Sequence, residues 1–230
     1  IFNNDDATSW KAQLDTKPHL ADGEKYLLDD ALAKKAAALR DVTVGEYSDS
    51  EESKAPKAPF TTSTLQQAAG QRLKLKPKET MSIAQSLYDQ GLITYLRTDS
   101  PNIDDEGVAN IAAYAQGAGL PLVDKPRKWK AKEGAQEGHE AIRPTHAENL
   151  DCGADDAEKA LYRLIWQRAV ASQLADAVYA VRAVRLDGDA DGTPVSFKAT
   201  GKTLVSPGWQ AVYAEDAADE DSEKDETSHN

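Results

Sequence analysis

The stretch GLITYLRTDS, residues 91–100, contains the end of a predicted helix and the extended segment that follows it. Its first residue, Gly91, is placed to end a helix, because glycine readily takes the left-handed backbone found at helix C-termini. The residues that follow are typical of an extended chain, in which side chains alternate between two faces. We therefore expect Ile93, Tyr95 and Arg97 on one face, with the residues between them on the other.

Two helices are predicted immediately before this stretch. Ser63 and Gln66 have the spacing of a capping box, which marks a helix start. Pro77 is placed near the start of the second helix, where its missing N–H costs little, and an apolar stripe from Met81 follows it. Two short helices that lead into an extended segment predict a helix-turn-helix-like unit.

Two further helices are predicted after it. Asp104 is a suitable cap for a helix that runs to residue 116. Residues 117–138 have the composition of a loop. Residues 155–174 then show apolar side chains at helical spacing, which predicts a long helix.

Strands are expected towards the ends of the chain. Short alternating runs occur at residues 9–14, 42–47, 178–186, 195–200 and 209–213. A helix is predicted at residues 24–40, with Leu27 and Leu28 on its buried face, and a loop or hinge at residues 48–59.

The fold class is therefore α+β. A mainly helical domain, residues 61–178, is predicted to be inserted into a strand-rich, discontinuous domain, residues 1–60 and 179–214. Residues 215–230 form an acidic tail whose composition predicts disorder.

The composition is that of a soluble globular protein. No apolar run approaches the roughly 18 residues that span a bilayer, and the first residues do not resemble a signal peptide. The chain does not start with Met, so we expect it to be a piece of a longer protein. Cys152 is the only cysteine, which excludes disulfides and cysteine zinc sites within the chain and fits a reducing compartment.

The net charge of −12 argues against a nucleic-acid partner, because phosphate binding requires Lys and Arg. Its distribution changes that inference. Residues 215–226 hold eight acids and one lysine, and leaving out their net −7 reduces the charge to −5. Two basic clusters lie elsewhere, and each can be either a solvated face or a DNA contact: Arg72, Lys74, Lys76 and Lys78, and Lys125, Arg127, Lys128, Lys130 and Lys132.

One acidic motif resembles the start of a calcium loop. Asp187, Asp189 and Asp191 precede Gly192, but Lys198 stands where such a loop requires glutamate. Alternating runs flank these residues, so a hairpin turn is the better interpretation, and no metal is assigned to them.

Four segments resemble, in order, the motifs of type IA DNA topoisomerases. Residues 91–100 resemble the active-site motif of that family, and residues 137–145, EGHEAIRPT, its His-Glu-Ala-Ile-Arg-Pro element. Residues 58–68, APFTTSTLQQA, resemble the entry into its tyrosine domain. A weaker match joins residues 201–203 to 207–209. Residues 91–100 and residues 58–68 are more similar to bacterial topoisomerase I than to topoisomerase III.

The resemblance implies that Tyr95 is the nucleophile and that Arg97 stabilises the transition state. Tyrosine ionises near pH 10, so it needs help at neutral pH. A guanidinium on the same face favours the phenolate and binds a phosphate. The resemblance also implies that His139, Arg143 and Gln85 contact DNA. For Arg143, a structural ion pair with a carboxylate is the alternative.

The activity implied by the resemblance is ATP-independent. One DNA strand is cut through a 5′-phosphotyrosine link, another strand is passed, and the break is resealed, which relaxes negative supercoils. The implied partner is a single-stranded segment of that DNA, in the cytoplasm at the nucleoid and away from membranes. Mg²⁺ would be bound by an acidic N-terminal domain of the same polypeptide. Nothing in this sequence matches that domain, so the chain alone is expected to be inactive and metal-free.

Two other hypotheses remain open at this point. The helix-turn-helix-like unit and its basic cluster are also compatible with a non-catalytic, winged-helix-like DNA-binding module. The acidic tail and exposed strand edges are compatible with a structural or dimerising fragment.

Overall fold

The computed structural model of the chain describes residues 2–3, 9–130 and 139–214. The chain divides into two compact units. The strand unit comprises Ile1–Glu52 and Val178–Val205, and the helical unit comprises Ser53–Ala177 and Ser206–Asn230. The domain limits inferred from the sequence stay a prediction. The acidic tail at residues 215–230 lies outside the described residues, as does part of the predicted loop, residues 131–138.

Among the described residues, six strands, one α-helix, α1, and a 3₁₀ helix, Lys17–His19, belong mainly to the strand unit. β1 and β2 pair with each other, and the other four strands form a sheet in the order β3-β6-β5-β4. β3 pairs antiparallel to β6, with Leu14 opposite Phe197. The bounds are β1 Phe2–Asn3, β2 Ser9–Trp10, β3 Gln13–Leu14, α1 Asp30–Ala38, β4 Thr43–Lys54, β5 Ala177–Asp189 and β6 Pro194–Ser206.

The predicted hairpin between β5 and β6 is confirmed. Ala190 and Thr193 each donate a backbone hydrogen bond to the other, and Gly192 has the positive φ of +87° that such a turn requires. A small core lies against this hairpin: Ala36, Leu186, Ala190, Val195 and Phe197.

Two predictions for the strand unit are wrong in extent. The helix predicted at residues 24–40 covers only Asp30–Ala38, because the Asp29 carboxylate accepts from Leu32 N and starts the helix there. Leu28, predicted to be buried, is 77% exposed. Residues 48–54, predicted as loop, belong to β4, because pairing with β5 supplies the backbone partners that their polar composition does not predict.

The helical unit contains four helices: α2 Thr62–Arg72, α3 Pro77–Asp89, α4 Asp105–Gly117 and α5 Asp156–Ser172. Asp104 caps α4 as predicted, and Gly91, with φ +72°, follows α3. The capping box of α2 joins Thr61 to Thr64, two residues earlier than the predicted pair Ser63 and Gln66.

A continuous core holds these helices together. Leu87 on α3 and Ile165 on α5 are fully buried in it, as are Phe60 and Ile142 from the intervening segments. Residues 209–213, predicted as a strand, lie in a 3₁₀ helix, Gly208–Tyr213. Within this 3₁₀ helix, the indole N–H of Trp209 donates to the Lys54 carbonyl at 2.7 Å. Helices and strands together confirm the α+β class.

Candidate active site

Residues 95–100 alternate in exposure as an extended chain should. Leu96, Thr98 and Ser100 are buried, whereas Arg97 and Asp99 are exposed and 47% of Tyr95 is accessible. Tyr95 and Arg97 are therefore both exposed; the chain bends at Leu96 and Arg97, and the shared face of the two side chains stays a prediction. Polar groups that face solvent in this way are available to a ligand without displacing any part of the core.

The predicted alternation is wrong at Ile93, which is buried with 1% exposure. The segment is not a regular strand there, since its only ladder contact is an isolated antiparallel bridge between Ile93 and Pro144. Thr94 is half-buried and uses its hydroxyl on neighbouring backbone. The alternation thus starts only after Thr94.

The start of α2 binds one side of the Tyr95 segment. The Thr62 hydroxyl donates to the Leu96 carbonyl at 2.7 Å and accepts from the Thr98 N–H at 2.9 Å. The Thr62 N–H donates to the Thr98 carbonyl at 2.9 Å. These three bonds fix the backbone on both sides of Arg97.

Residues 141–145 bind the other side. The Thr94 N–H donates to the Arg143 carbonyl at 2.9 Å, and the Thr94 hydroxyl donates to the Ala141 carbonyl at 2.8 Å. The Thr145 hydroxyl donates to the Gly91 carbonyl at 2.7 Å. The second motif therefore positions the backbone just before Tyr95.

Arg143 is largely buried, which favours the structural ion pair over a direct DNA contact; DNA contact by Arg143 stays a prediction. Its side chain is 9% exposed and forms ion pairs with Glu140 at 2.7 Å and Asp104 at 3.1 Å. Its Nη1 donates to the Pro144 carbonyl at 3.1 Å. Its guanidinium therefore already binds two carboxylates and a carbonyl, which is the kind of contact that the alternative interpretation expects.

The close approach of Arg143 to α4 depends on Gly107. A Cβ at this position would lie 2.3 Å from Arg143 Nε and 2.7 Å from a methyl carbon of Ile103. The Gly107 N–H also donates to the Asp104 carboxylate at 2.7 Å. One carboxylate thus caps the helix and pairs with the guanidinium.

Tyr88, on α3, contacts the ring of Tyr95. The ring centroids are 5.5 Å apart with an interplanar angle of 67°, an edge-to-face arrangement. Gln85 lies on the same helix, half-buried, and its amide donates to the Asp89 carboxylate at 2.8 Å. DNA contact by Gln85 stays a prediction.

Arg97 and His139 are both exposed, and neither forms a hydrogen bond or ion pair with any other described residue. A guanidinium without a carboxylate partner retains its full capacity for a phosphate. His139 borders residues 131–138, which lie outside the described part of the chain. Their roles at the DNA stay predictions.

Comparisons with known proteins agree with this geometry. A family model described as DNA topoisomerase matches residues 7–229. The chain belongs to the type IA DNA topoisomerase family. The match extends over both units and includes every residue of the candidate site.

Individual relatives place the chain within longer topoisomerases. It is 45% identical, over its whole length, to the protein named "DNA topoisomerase I, plasmid" of Xylella fastidiosa, and covers 36% of it. It is 40% identical to DNA topoisomerase 1 of Mycobacterium leprae over 82% of the chain and 21% of that relative. The structure of full-length topoisomerase I from Thermotoga maritima matches with a TM-score of 0.69 and 31% identity, over 88% of this chain and 33% of that one. The chain thus spans about a third or less of these relatives.

A magnesium site is not formed by the described residues of this topoisomerase-family chain. None of the described His, Cys, Asp and Glu side chains form a group of three or more that could hold a metal ion. In the Asp187–Asp191 region, Asp187 contacts Arg185, Asp189 accepts from Gly192 N, and Asp191 pairs with Lys35. These carboxylates form contacts within the hairpin or between the hairpin and α1. No described helix is long and apolar enough to cross a membrane.

The sequence did not reveal the residues that position the site. Thr62 lies within a recognised motif, but the sequence contains no sign that its hydroxyl donates to the carbonyl of Leu96, 34 residues away. The apolar stripe that starts at Met81 does not distinguish Tyr88 as a neighbour of Tyr95. Gly107 had one available signal, a glycine three residues after a helix cap, which is costly for a helix unless another group approaches closely.

Proposed function

We propose that this chain supplies the nucleophile of a type IA DNA topoisomerase. The observation that carries the proposal is the exposure of Tyr95 beside an unpaired Arg97, on a backbone fixed by hydrogen bonds from both sides. The family membership supports DNA as the substrate. The single-stranded segment and the strand-passage step are inferred from the resemblance of the motifs.

The proposed chemistry is a reversible transfer of a phosphodiester. The Tyr95 oxygen attacks the scissile phosphorus as its proton leaves, the bond from phosphorus to the 3′ oxygen breaks, and the departing 3′ hydroxyl takes up a proton. A 5′-phosphotyrosine remains, so one phosphodiester replaces another. Resealing is the reverse attack by the 3′ hydroxyl, and no ATP is consumed.

Arg97 has the properties that the transition state of this reaction requires. The attacked phosphate gains negative charge on its outer oxygens, and a guanidinium can bind two of them at once. Since Arg97 is not neutralised by any described carboxylate, its positive charge is available to the DNA phosphate. His139 is the second exposed group of the motifs and would bind the same strand.

The chain alone is proposed to fold without relaxing DNA. The described residues provide no ligand set for the Mg²⁺ that the resemblance implies, and the chain spans about a third of its relatives. We call the protein that joins this chain to the additional regions of those relatives the complete enzyme. Relaxation of a supercoiled plasmid by the 230-residue chain on its own would contradict this part of the proposal.

The test is covalent trapping of the complete enzyme on single-stranded DNA. Quenching the reaction with denaturant should leave a DNA–protein adduct, and Tyr95→Phe should abolish it while DNA binding stays near its original affinity. Tyr88→Phe is the matched control, because it removes one hydroxyl from the adjacent ring. An adduct of undiminished yield in Tyr95→Phe would refute the proposal and favour a module that binds DNA without cutting it.

A further inference from the structure

The turn between α2 and α3 presents four cations to solvent. Arg72, Lys74, Lys76 and Lys78 are all exposed, and we call them the α2–α3 basic patch. Leu73 and Leu75 alternate with them and pack against the core of the helical unit. Because the leucines are held inward, the charged residues between them must point outward.

Lys74 lies in a backbone conformation that disfavours lysine. Its φ is +59°, in the left-handed region where glycine is the least strained residue. The turn itself is closed by backbone groups, since the N–H groups of Leu73 and Leu75 both donate to the Ala69 carbonyl. A glycine would make the same turn with less strain, so the backbone of the turn does not itself require lysine at this position.

The second basic cluster shows how structural cations behave in this protein. Arg127 pairs with Asp176 at 2.6 Å and donates to the Leu174 carbonyl at 3.1 Å. Lys128 lies 3.5 Å from Asp105. These contacts attach the loop that carries Arg127 and Lys128 to the helical unit. Two of the five cations of this cluster therefore have acidic partners within the protein.

The α2–α3 basic patch has no such neutralising partners. None of its four cations forms an ion pair with a carboxylate among the described residues. Arg72 lies over the ring of Tyr213, 5.4 Å from its centroid, which orients the guanidinium without removing its charge. Lys74 donates only to the Gln71 carbonyl, at 2.9 Å. Four retained positive charges within seven residues are an unusual feature of a chain whose net charge is −12.

We propose that the α2–α3 basic patch binds the phosphate backbone of the DNA strand that is cut at Tyr95. The patch lies at the start of α3, and Tyr88, which contacts Tyr95, lies near its end. The ten residues from Lys78 to Tyr88 span about 15 Å of helix. If the bound single strand keeps the 3.4 Å rise per phosphate of a strand in duplex DNA, the patch meets it about four phosphates from the cut. This placement rests on the proposed function, but phosphate binding by the patch does not.

The binding test uses Lys74→Gln/Lys76→Gln/Lys78→Gln in a Tyr95→Phe background, with labelled single-stranded DNA titrated over a range of salt concentrations. Each phosphate contact contributes about 0.7 to the slope of log affinity against log salt, so the slope should fall by about 2. The control variant Lys25→Gln/Lys34→Gln/Lys35→Gln makes the same change of charge on the strand unit. The Tyr95→Phe protein that keeps all its lysines is called the parent. Equal slopes in the two triple variants, or binding by the parent without salt dependence, would overturn the proposal.

A second variant separates charge from fold. Lys74→Gly relieves the left-handed strain, so its melting temperature should rise while the salt slope falls by about 0.7. A purely structural role for Lys74 would leave the slope unchanged. Replacing the phosphates about four positions from the cut by uncharged methylphosphonates should weaken binding to the parent but not to the triple-glutamine variant. Failure of the proposed function would appear instead as absent covalent adduct, with these binding results intact.

Discussion

Two arginines from recognised motifs have opposite surroundings in this protein. Arg97 is exposed and has no partner among the described residues, whereas Arg143 is 9% exposed and bound to two carboxylates and a carbonyl. Both residues stand in segments that resemble active-site motifs of one family. The difference teaches that residues of such motifs differ in burial, which separates an arginine available to a ligand from one already bound by the protein.

The largest expected effect on stability is from Arg143→Ala. Arg143 itself is buried, whereas Asp104 and Glu140 are partly exposed and can be solvated after its removal, so we expect a loss of about 1.5–3 kcal/mol. Chemical denaturation should show that loss of unfolding free energy. The matched control is Arg182→Ala, whose pair with Asp49 is exposed on both sides and contributes roughly 0–1 kcal/mol. Equal losses in the two variants would break the comparison between buried and exposed arginines.

Arg97→Ala should have its effect on catalysis. Loss of a group that stabilises the transition state reduces rates by about 10²–10³-fold, whereas an exposed side chain without partners contributes less than about 0.5 kcal/mol to folding. Single-turnover cleavage by the complete enzyme measures the first and thermal unfolding the second. Arg97→Lys should recover part of the rate, since it restores the charge without the two-pronged geometry. A destabilised Arg97→Ala variant with normal cleavage would reverse the assigned roles.

The comparison also shows how far sequence alone could go. It predicted α3, α4 and the hairpin, because caps, proline placement and alternation are local signals. The alternation also predicted that Tyr95 and Arg97 would share exposure to solvent, and both are exposed. The sequence left open whether Arg143 pairs with a carboxylate and could not name Asp104 as a partner, because the two residues are 39 positions apart and only the folded chain brings them together. Residues 48–54 failed for the same reason, since their strand depends on a distant partner.

Gly107→Ala tests whether the Arg143 cluster is as tightly packed as it looks. The added methyl would clash with the guanidinium, and overpacking of this kind costs about 1–3 kcal/mol. Gly117→Ala on the same helix is the control, because its Cβ would meet nothing within 4 Å. That change should leave stability equal or raise it by up to about 1 kcal/mol, as alanine favours helix. Unfolding midpoints that fall equally would show that the site accommodates a side chain.

Glu158 extends the comparison to a carboxylate that positions the end of α3. Hydrogen bonds from the Ala154 N–H, then from Gln90 and Ser86, lower the pKa of Glu158 below its ordinary value of 4.5. The folded state therefore favours the ionised form. This stabilisation is complete above the ordinary pKa and disappears as the pH falls through the lowered value. Glu158→Gln should flatten the acid side of the stability curve, measured as unfolding free energy between pH 6 and 2; an unchanged curve would contradict the assignment.

The central claim is that the phenol of Tyr95 forms the bond to DNA. It is tested most directly by digesting the trapped adduct of the complete enzyme and identifying by mass spectrometry the peptide that carries the nucleotide. We expect the nucleotide on Tyr95, joined through the 5′ phosphate of the cut strand, with Tyr88 unmodified. A nucleotide on Tyr88 or on any other residue would contradict the account.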